Sequence, residues 1–194
     1  TYGSLAVVNY DLTASIGIVS RVDRNFDKNL LSLLNTNSHS QSIDLSGLIF
    51  EGNYSTNYQL TYHNNERDLK LLSKAPNCQI EDIPDQFFNT RAIHLTPIAD
   101  EFSMEFLKEI AKHEGTRDTL FGIDVQGLIR GFDKNGNIYM KNDETTRIKI
   151  IESLNEFGDR IFFKGSDKEI QAVSGIEDLK EATIELSKTG AHIF

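Results

Sequence analysis

One cysteine in 194 residues leaves no partner for an internal disulfide, and Cys78 alone cannot build a thiolate cage for zinc. A chain of this kind is expected in a reducing compartment, the cytoplasm. Basic residues are also scarce: 20 Lys and Arg stand against 29 Asp and Glu, a net charge of −9. That balance argues against the broad basic surface on which nucleic-acid binding relies, and makes small molecules or proteins the expected partners. No apolar run approaches the ~20 residues that span a bilayer, and no basic segment followed by an apolar one opens the chain. Neither membrane insertion nor a signal peptide is expected, and Asn53-Tyr54-Ser55 is then a chance match to a glycosylation acceptor.

Nucleotide and hydrolase motifs are missing as well. There is no G-x-x-x-x-G-K-[ST], no G-x-G-x-x-G and no G-x-S-x-G, which removes most support for a P-loop enzyme, a dinucleotide-binding dehydrogenase or an α/β-hydrolase. The five histidines, His39, His63, His94, His113 and His192, show no H-x-x-x-H spacing, so no metal cluster is indicated.

What is present is an alternation of strand and helix patterns over a chain long enough to bury a core, with 39% hydrophobic residues. Thr1 to Asn9 reads as a helix body without a cap before it, and Ala14 to Val19 as a buried strand. Asp23, Asn25 and Asp27 supply turn and cap chemistry for a helix carrying Leu30, Leu31 and Leu34. From Ile43 to Leu72 the period changes to two, which predicts antiparallel strands with a hairpin at Asn64-Asn65: a lid or an interface, or a meander that only packs on the core. After Pro84 the α/β pattern returns. Arg91 to Leu95, Leu120 to Val125, Arg160 to Phe163 and Ala191 to Phe194 read as strands. Phe102, Phe106, Leu107, Ile110 and Ala111 mark one helix, Ile148, Ile151 and Leu154 a second capped by Asp143 or Thr145, and Ile176 to Ser187 another. Ser166 with Glu169 forms a capping box. The last strand stops within its apolar run, and both ends are expected to be cut.

Leu120 to Gly136, LFGIDVQGLIRGFDKNG, stands out because a strand pattern runs directly into polar groups. In an open α/β sheet such positions, beyond the carboxyl end of a strand, are where ligands bind. Asp124, Gln126 and Arg130 are therefore candidates, the alternative being turn capping, backbone satisfaction and solvation. Leu128 to Phe132 and Asn137 to Met140 read as strands around Asp133 to Gly136. Asp133, Asn135, Asn137 and Glu144 match positions of a calcium loop, but Ile138 occupies the place of its glycine and Asn135-Gly136 is a hairpin signal.

Spread along the chain, several segments resemble the ribokinase-like (PfkB) family of carbohydrate kinases. Thr1 to Asn9 resembles the helix after that family's Gly-Gly sugar-binding turn, and IGIVSRVDRNF, Ile16 to Phe26, its V-G-x-V-G-x-D-x-F segment, with Ser20 for the second glycine, Val22 for the aspartate and Asp23 one place late. STNYQLTYHNNERDLKLL, Ser55 to Leu72, is similar to the lid strands, with Arg67 in the usual place of an arginine. His94-Leu95-Thr96-Pro97 and Asp124 to Arg130 are similar to the H-L-x-P and D-x-Q-G-x-x-R segments of a subgroup with inositol- and nucleoside-kinase-like members. Phe163 to Glu169 resembles the N-x-x-E segment, with Ser166 replacing asparagine.

The resemblance implies a three-layer α/β/α core with a small antiparallel β lid: residues 1–42 as the start of the core, 43–72 as the lid and 73–194 as the rest of the core. It implies transfer of the ATP γ-phosphoryl group, with Mg2+, to a hydroxyl of a sugar, polyol or nucleoside, and a possible homodimer through the lid. Tyr2, Thr56, Asn57, Arg67, Asp124, Gln126 and Arg130 become substrate-side candidates, and Glu169 the metal-side candidate, its alternative being the capping box. The family's G-A-G-D segment, an anion hole with the aspartate that takes the hydroxyl proton, has no counterpart: Phe157-Gly158-Asp159 and Gly165-Ser166-Asp167 do not match it. The chain alone is therefore expected to be inactive. A non-catalytic binding module of the same fold and an unrelated doubly wound domain are the rival readings.

Overall fold

The structure, a computed structural model, describes residues 2–11, 13–32, 43–63 and 66–194. Helix α1 (Tyr2–Tyr10) precedes strand β1 (Ile16–Val22), which pairs with β2 (Ile43–Phe50). The hairpin β3 (Asn57–His63) and β4 (Glu66–Ser73) follows, then the single turn α2 (Asp85–Phe88) and β5 (Ala92–Leu95). Next come α3 (Met104–Lys112), β6 (Leu120–Asp124), the helical turn α4 (Gln126–Ile129) and the hairpin β7 (Arg130–Phe132) and β8 (Ile138–Met140). The chain continues through α5 (Glu144–Phe157), β9 (Ile161–Lys164), α6 (Asp167–Ser174), α7 (Leu179–Ser187) and β10 (His192–Ile193).

The core sheet is parallel, in the order β10-β9-β6-β5, with Ile93 beside Phe121 and Ile123 beside Phe163. Alternate residues of its central strands, Phe121, Ile123, Ile161 and Phe163, are at most 1% exposed. They meet the apolar stripes of α3, α5, α6 and α7 in one cluster. Burial of a stripe on a strand and one on a helix is the main force that lays these elements together. On the smaller sheet, α1 packs Leu5 and Val8 against Ile16, Ile18 and Ile43, while Phe87 of α2 crowds Gly17 on the other side of β1. Helices thus flank the strands on both sides, the three layers of an α/β fold.

Local sequence explains the helix ends. Ser103 accepts a hydrogen bond from the Phe106 amide and Asp143 one from the Thr146 amide, each satisfying an otherwise orphan donor of the first turn. Ser166 and Glu169 form the expected capping box, and Gly175, at φ +75°, ends α6 in the left-handed conformation that glycine adopts without strain.

Four expectations need correction. Ile43–Phe50 is not an antiparallel lid strand, because it runs parallel to β1; alternation marks a face and leaves strand direction open. Leu128 and Ile129 are buried in a helical turn, since so short an apolar run suits either conformation. After Asp27 comes the 3-10 turn Lys28–Leu31, with Leu30 exposed; the rest of the expected helix, with Leu34, and the Asn64-Asn65 turn lie outside the described residues. In α5 the buried stripe is Ile150, Leu154 and Phe157, with Ile148 turned to solvent, and α7 begins at Leu179 behind the cap Asp178.

Cys78 is buried, and burial together with the Asp82 carboxylate pushes its thiol up to about 11. The ordinary value is 9.0, so the thiolate fraction near pH 8 falls roughly a hundredfold. A thiol reagent is accordingly expected to label the native protein roughly a hundredfold more slowly than the urea-unfolded chain; equal rates in the two states would contradict the burial.

Candidate functional site

All strands of the core sheet run the same way, so their carboxyl ends form one edge. The β3–β4 hairpin stands over that edge. The Tyr58 hydroxyl donates to the Ile98 carbonyl (2.6 Å) and the Lys74 ammonium to the Asp100 carbonyl (2.6 Å), both in the loop that leaves β5. At the hairpin's foot, Ser55 donates to the Asp23 carboxylate (2.6 Å), Ser73 donates to the Ser55 carbonyl (2.8 Å) and the Thr56 hydroxyl accepts from the Ala75 amide (3.1 Å).

Asp124 ends β6, and its carboxylate faces two partners: Oδ1 accepts from the Gln126 amide (3.1 Å), and Oδ2 lies 3.2 Å from the Lys164 ammonium. Lys164 ends β9 as the direct neighbour of Asp124 in the sheet, and the Val125 amide donates to its carbonyl. Lys164 is largely exposed, so the pair adds little to stability and leaves both charges open to a ligand. Gly127 explains the approach of the next segment. A Cβ there would lie 2.2 Å from the Pro97 carbonyl carbon and oxygen, so only glycine lets α4 rest on the loop after β5. The two segments singled out in sequence, His94 to Pro97 and Asp124 to Arg130, therefore touch.

Arg130 is near enough to the β3–β4 hairpin for its charge to act on the Tyr58 phenol. Burial is the main cause that raises the Tyr58 pKa, with Glu101 adding to it and Arg130 opposing it. Glu169 is engaged as a cap, one oxygen accepting from the Ser166 amide (2.8 Å). Among the described residues no three His, Cys, Asp or Glu side chains gather as metal ligands. Mg2+ suits such a place only through one carboxylate, water and phosphate oxygens, as that hard cation often binds.

The expected residues thus divide. Asp124, Gln126 and Glu169 share the sheet edge with Lys164 to Ser166, and Thr56 and Arg130 sit where the lid meets it, Thr56 with its hydroxyl already committed to the Ala75 amide. Asn57 is exposed at the start of β3, opposite Ser73; Arg67 stands opposite Tyr62 in the hairpin, and Tyr2 opens α1. Asp133 is engaged in the turn: its carboxylate accepts from the Asn135 and Asn137 amides and the Asn137 side chain, which closes the hairpin and lowers its pKa. Sequence reading missed Lys164 and Tyr58. Lys164 follows its strand's apolar alternation as Asp124 follows its own, a signal visible in retrospect. It also missed Asp100, the one non-glycine residue with positive φ (57°) among the described residues, whose carboxylate pairs with Lys141 at 3.0 Å.

No protein-family model matches the chain, and no curated protein sequence does. Solved structures do. A pyrophosphate-dependent kinase in the ribokinase family, in a sulfate complex, superposes with TM-score 0.70 at 17% identity, over 94% of this chain and 60% of that one. The chain has the ribokinase-like fold. A PfkB protein from Polaromonas sp. JS666 matches with TM-score 0.66 at 13% identity, over 98% of this chain and 63% of its own. Fructokinase from Vibrio cholerae O395, bound to fructose, ADP and calcium ion, matches with TM-score 0.55 at 12% identity, over 96% and 58%. The chain therefore spans about three fifths of the ribokinase-like structures it matches.

Proposed function

We propose that this chain is the acceptor-binding part of a kinase that transfers a phosphoryl group from ATP, with Mg2+, to a hydroxyl of a sugar, polyol or nucleoside. The observation that carries the reading is the hairpin lid standing over a sheet edge where Asp124 and Lys164 lie side by side. Neighbours of the same fold include the fructose-bound fructokinase and a pyrophosphate-dependent kinase complexed with a pyrophosphate analogue and myo-inositol.

In this reading Asp124 accepts a hydrogen bond from an acceptor hydroxyl, while Lys164 and the Gln126 amide hold its carboxylate in place. Thr56, Asn57 and Arg67 contribute from the lid, Arg130 from the joint between lid and edge, and Tyr2 from α1. Glu169 keeps one oxygen for a magnesium-bound water, the other remaining on the Ser166 amide. The ion, when bound, neutralises charge on the donor phosphates. The lid hairpin is assigned to residues 57–73. Leu60, Tyr62 and Leu72 are exposed on the lid hairpin and would serve a homodimer interface. A cytoplasmic setting agrees with the lone buried cysteine.

A binding module without catalysis is the second reading, favoured by the absence of a G-A-G-D segment from these residues. Calorimetric titration with myo-inositol and with fructose tests the acceptor site. Asp124→Ala should weaken the binding by more than about tenfold, the loss of about one charge-assisted hydrogen bond. With ATP and Mg2+ added, the chain by itself should show no turnover. Unchanged affinity in the variant removes Asp124 from the site; turnover by the isolated chain removes the requirement for the missing base.

A further inference from the structure

We infer that the β7–β8 hairpin is the second half of the lid, and that Tyr58 is the positioning residue through which the lid and Arg130 move as one body. The inference rests on the acceptor site proposed above, in which Arg130 faces the ligand.

The two hairpins lie far apart in sequence, yet an isolated bridge sets them side by side. β3 pairs with β4 and β7 with β8, both antiparallel, and Lys70 of β4 makes an isolated antiparallel bridge to Asn137, just before β8. The Leu71 amide donates to the Gly136 carbonyl at 2.9 Å. Contact at this seam is close: a Cβ on Gly136, at φ +82°, would stand 2.0 Å from the Leu71 carbonyl oxygen. The Lys70 charge also acts on Asp133 in the hairpin turn. The resulting order is β3-β4-β8-β7. A two-stranded hairpin is marginal by itself, whereas four strands with a packed face hold a shape.

Side chains repeat the connection from below. The Tyr58 ring lies against Phe132 of β7, with centroids 6.3 Å apart, its hydroxyl donates to the Ile98 carbonyl at 2.6 Å, and the Arg130 charge acts on the same phenol. Lys74, just after β4, and Lys141, just after β8, both end on Asp100. Arg130 is the first residue of β7 and follows directly on the turn that carries Gln126. A displacement of the lid is thus transmitted to Arg130, and a ligand held by Arg130 favours one lid position over another, which is how differential contact shifts a conformational equilibrium.

Hydrogen exchange and a cross-link test this without any need for catalysis. Tyr58→Phe keeps the ring on Phe132 and removes the hydroxyl. The amides of Arg130 to Phe132 should then exchange roughly fivefold faster, as expected for the loss of about 1 kcal/mol of local hydrogen bonding, with those of Phe121, Ile123, Ile161 and Phe163 unchanged. Unchanged exchange at Arg130 to Phe132 overturns the coupling. In the double variant Lys70→Cys with Asn137→Cys, facing positions about 4.5–5.5 Å apart fall within disulfide range. The bond should form under mild oxidation, with Cys78 protected by burial. Myo-inositol affinity of the cross-linked protein should stay within about twofold of the reduced form, while Tyr58→Phe should weaken it about fivefold, the same single hydrogen bond. Failure of the disulfide to form, or loss of binding on cross-linking alone, means that the hairpins separate and overturns the single-body lid. If the wild type binds neither myo-inositol nor fructose, the acceptor reading fails and the exchange result still decides the coupling.

Discussion

Asp82→Ala is expected to lower folding stability by about 3–5 kcal/mol, the range for removing one partner of a buried ion pair. Arg21 of β1 and Asp82 form a two-pronged pair, Nε to Oδ2 at 2.6 Å and Nη2 to Oδ1 at 2.8 Å, with side-chain exposures of 16% and 6%. The Asp82 carboxylate also accepts from the Gln79 amide and raises the Arg21 pKa. Without it, the guanidinium's remaining carboxylate among the described residues is Glu51, 3.6 Å away and largely exposed. The location makes the loss serious. Asp82 lies in the 3-10 turn Ile80–Asp82 between β4 and α2, so the pair ties β1 to that connection, whose Ile83 and Cys78 belong to the core cluster. Urea denaturation of the variant measures the loss. Replacing both residues by apolar ones of similar size, Arg21→Met with Asp82→Leu, should restore most of it, because neither charge is then left buried alone. A loss below about 1 kcal/mol for Asp82→Ala would mean that solvent reaches the site and that β1 is held against the connection by packing alone.

Gly127→Ala should destabilise the protein by about 2 kcal/mol, against the usual sign. In an ordinary helical position alanine gains about 1 kcal/mol over glycine. Here the new methyl would stand 2.2 Å from the Pro97 carbonyl group, backbone that cannot rotate away, and the helical turn must shift. Overpacking of this kind costs about 1–3 kcal/mol or more. The shift would also displace Gln126, whose amide holds Asp124, so acceptor affinity should fall together with the melting temperature. A variant as stable as the wild type would show that the loop after β5 yields.

The elements with strong patterns were legible in the sequence. The stripe of Phe106, Leu107, Ile110 and Ala111 sits on α3, Phe121 and Ile123 alternate as a buried strand, and Ser166 with Glu169 caps α6. The ribokinase-like resemblance, carried by short segments in a fixed order, agrees with the superposed structures at 12–17% identity. Asp133 to Gly136 was recognisable as a turn from Asn135-Gly136 alone, and Gly136 does take the positive φ that such a turn requires.

Neighbours across the fold were not legible. The sequence by itself determined which residues turn inward, where helices start and that polar groups follow β6, because these depend on residues at most four or so positions apart. Only the tertiary structure decided that β2 runs parallel to β1, that Arg21 finds Asp82 sixty-one residues on, that Lys164 stands beside Asp124 and that Lys70 of β4 bridges to Asn137. Periodicity records a face and carries no address for the partner on that face. Partners are chosen when the whole core is buried at once and every strand takes the position that leaves no apolar face or main-chain group unmatched.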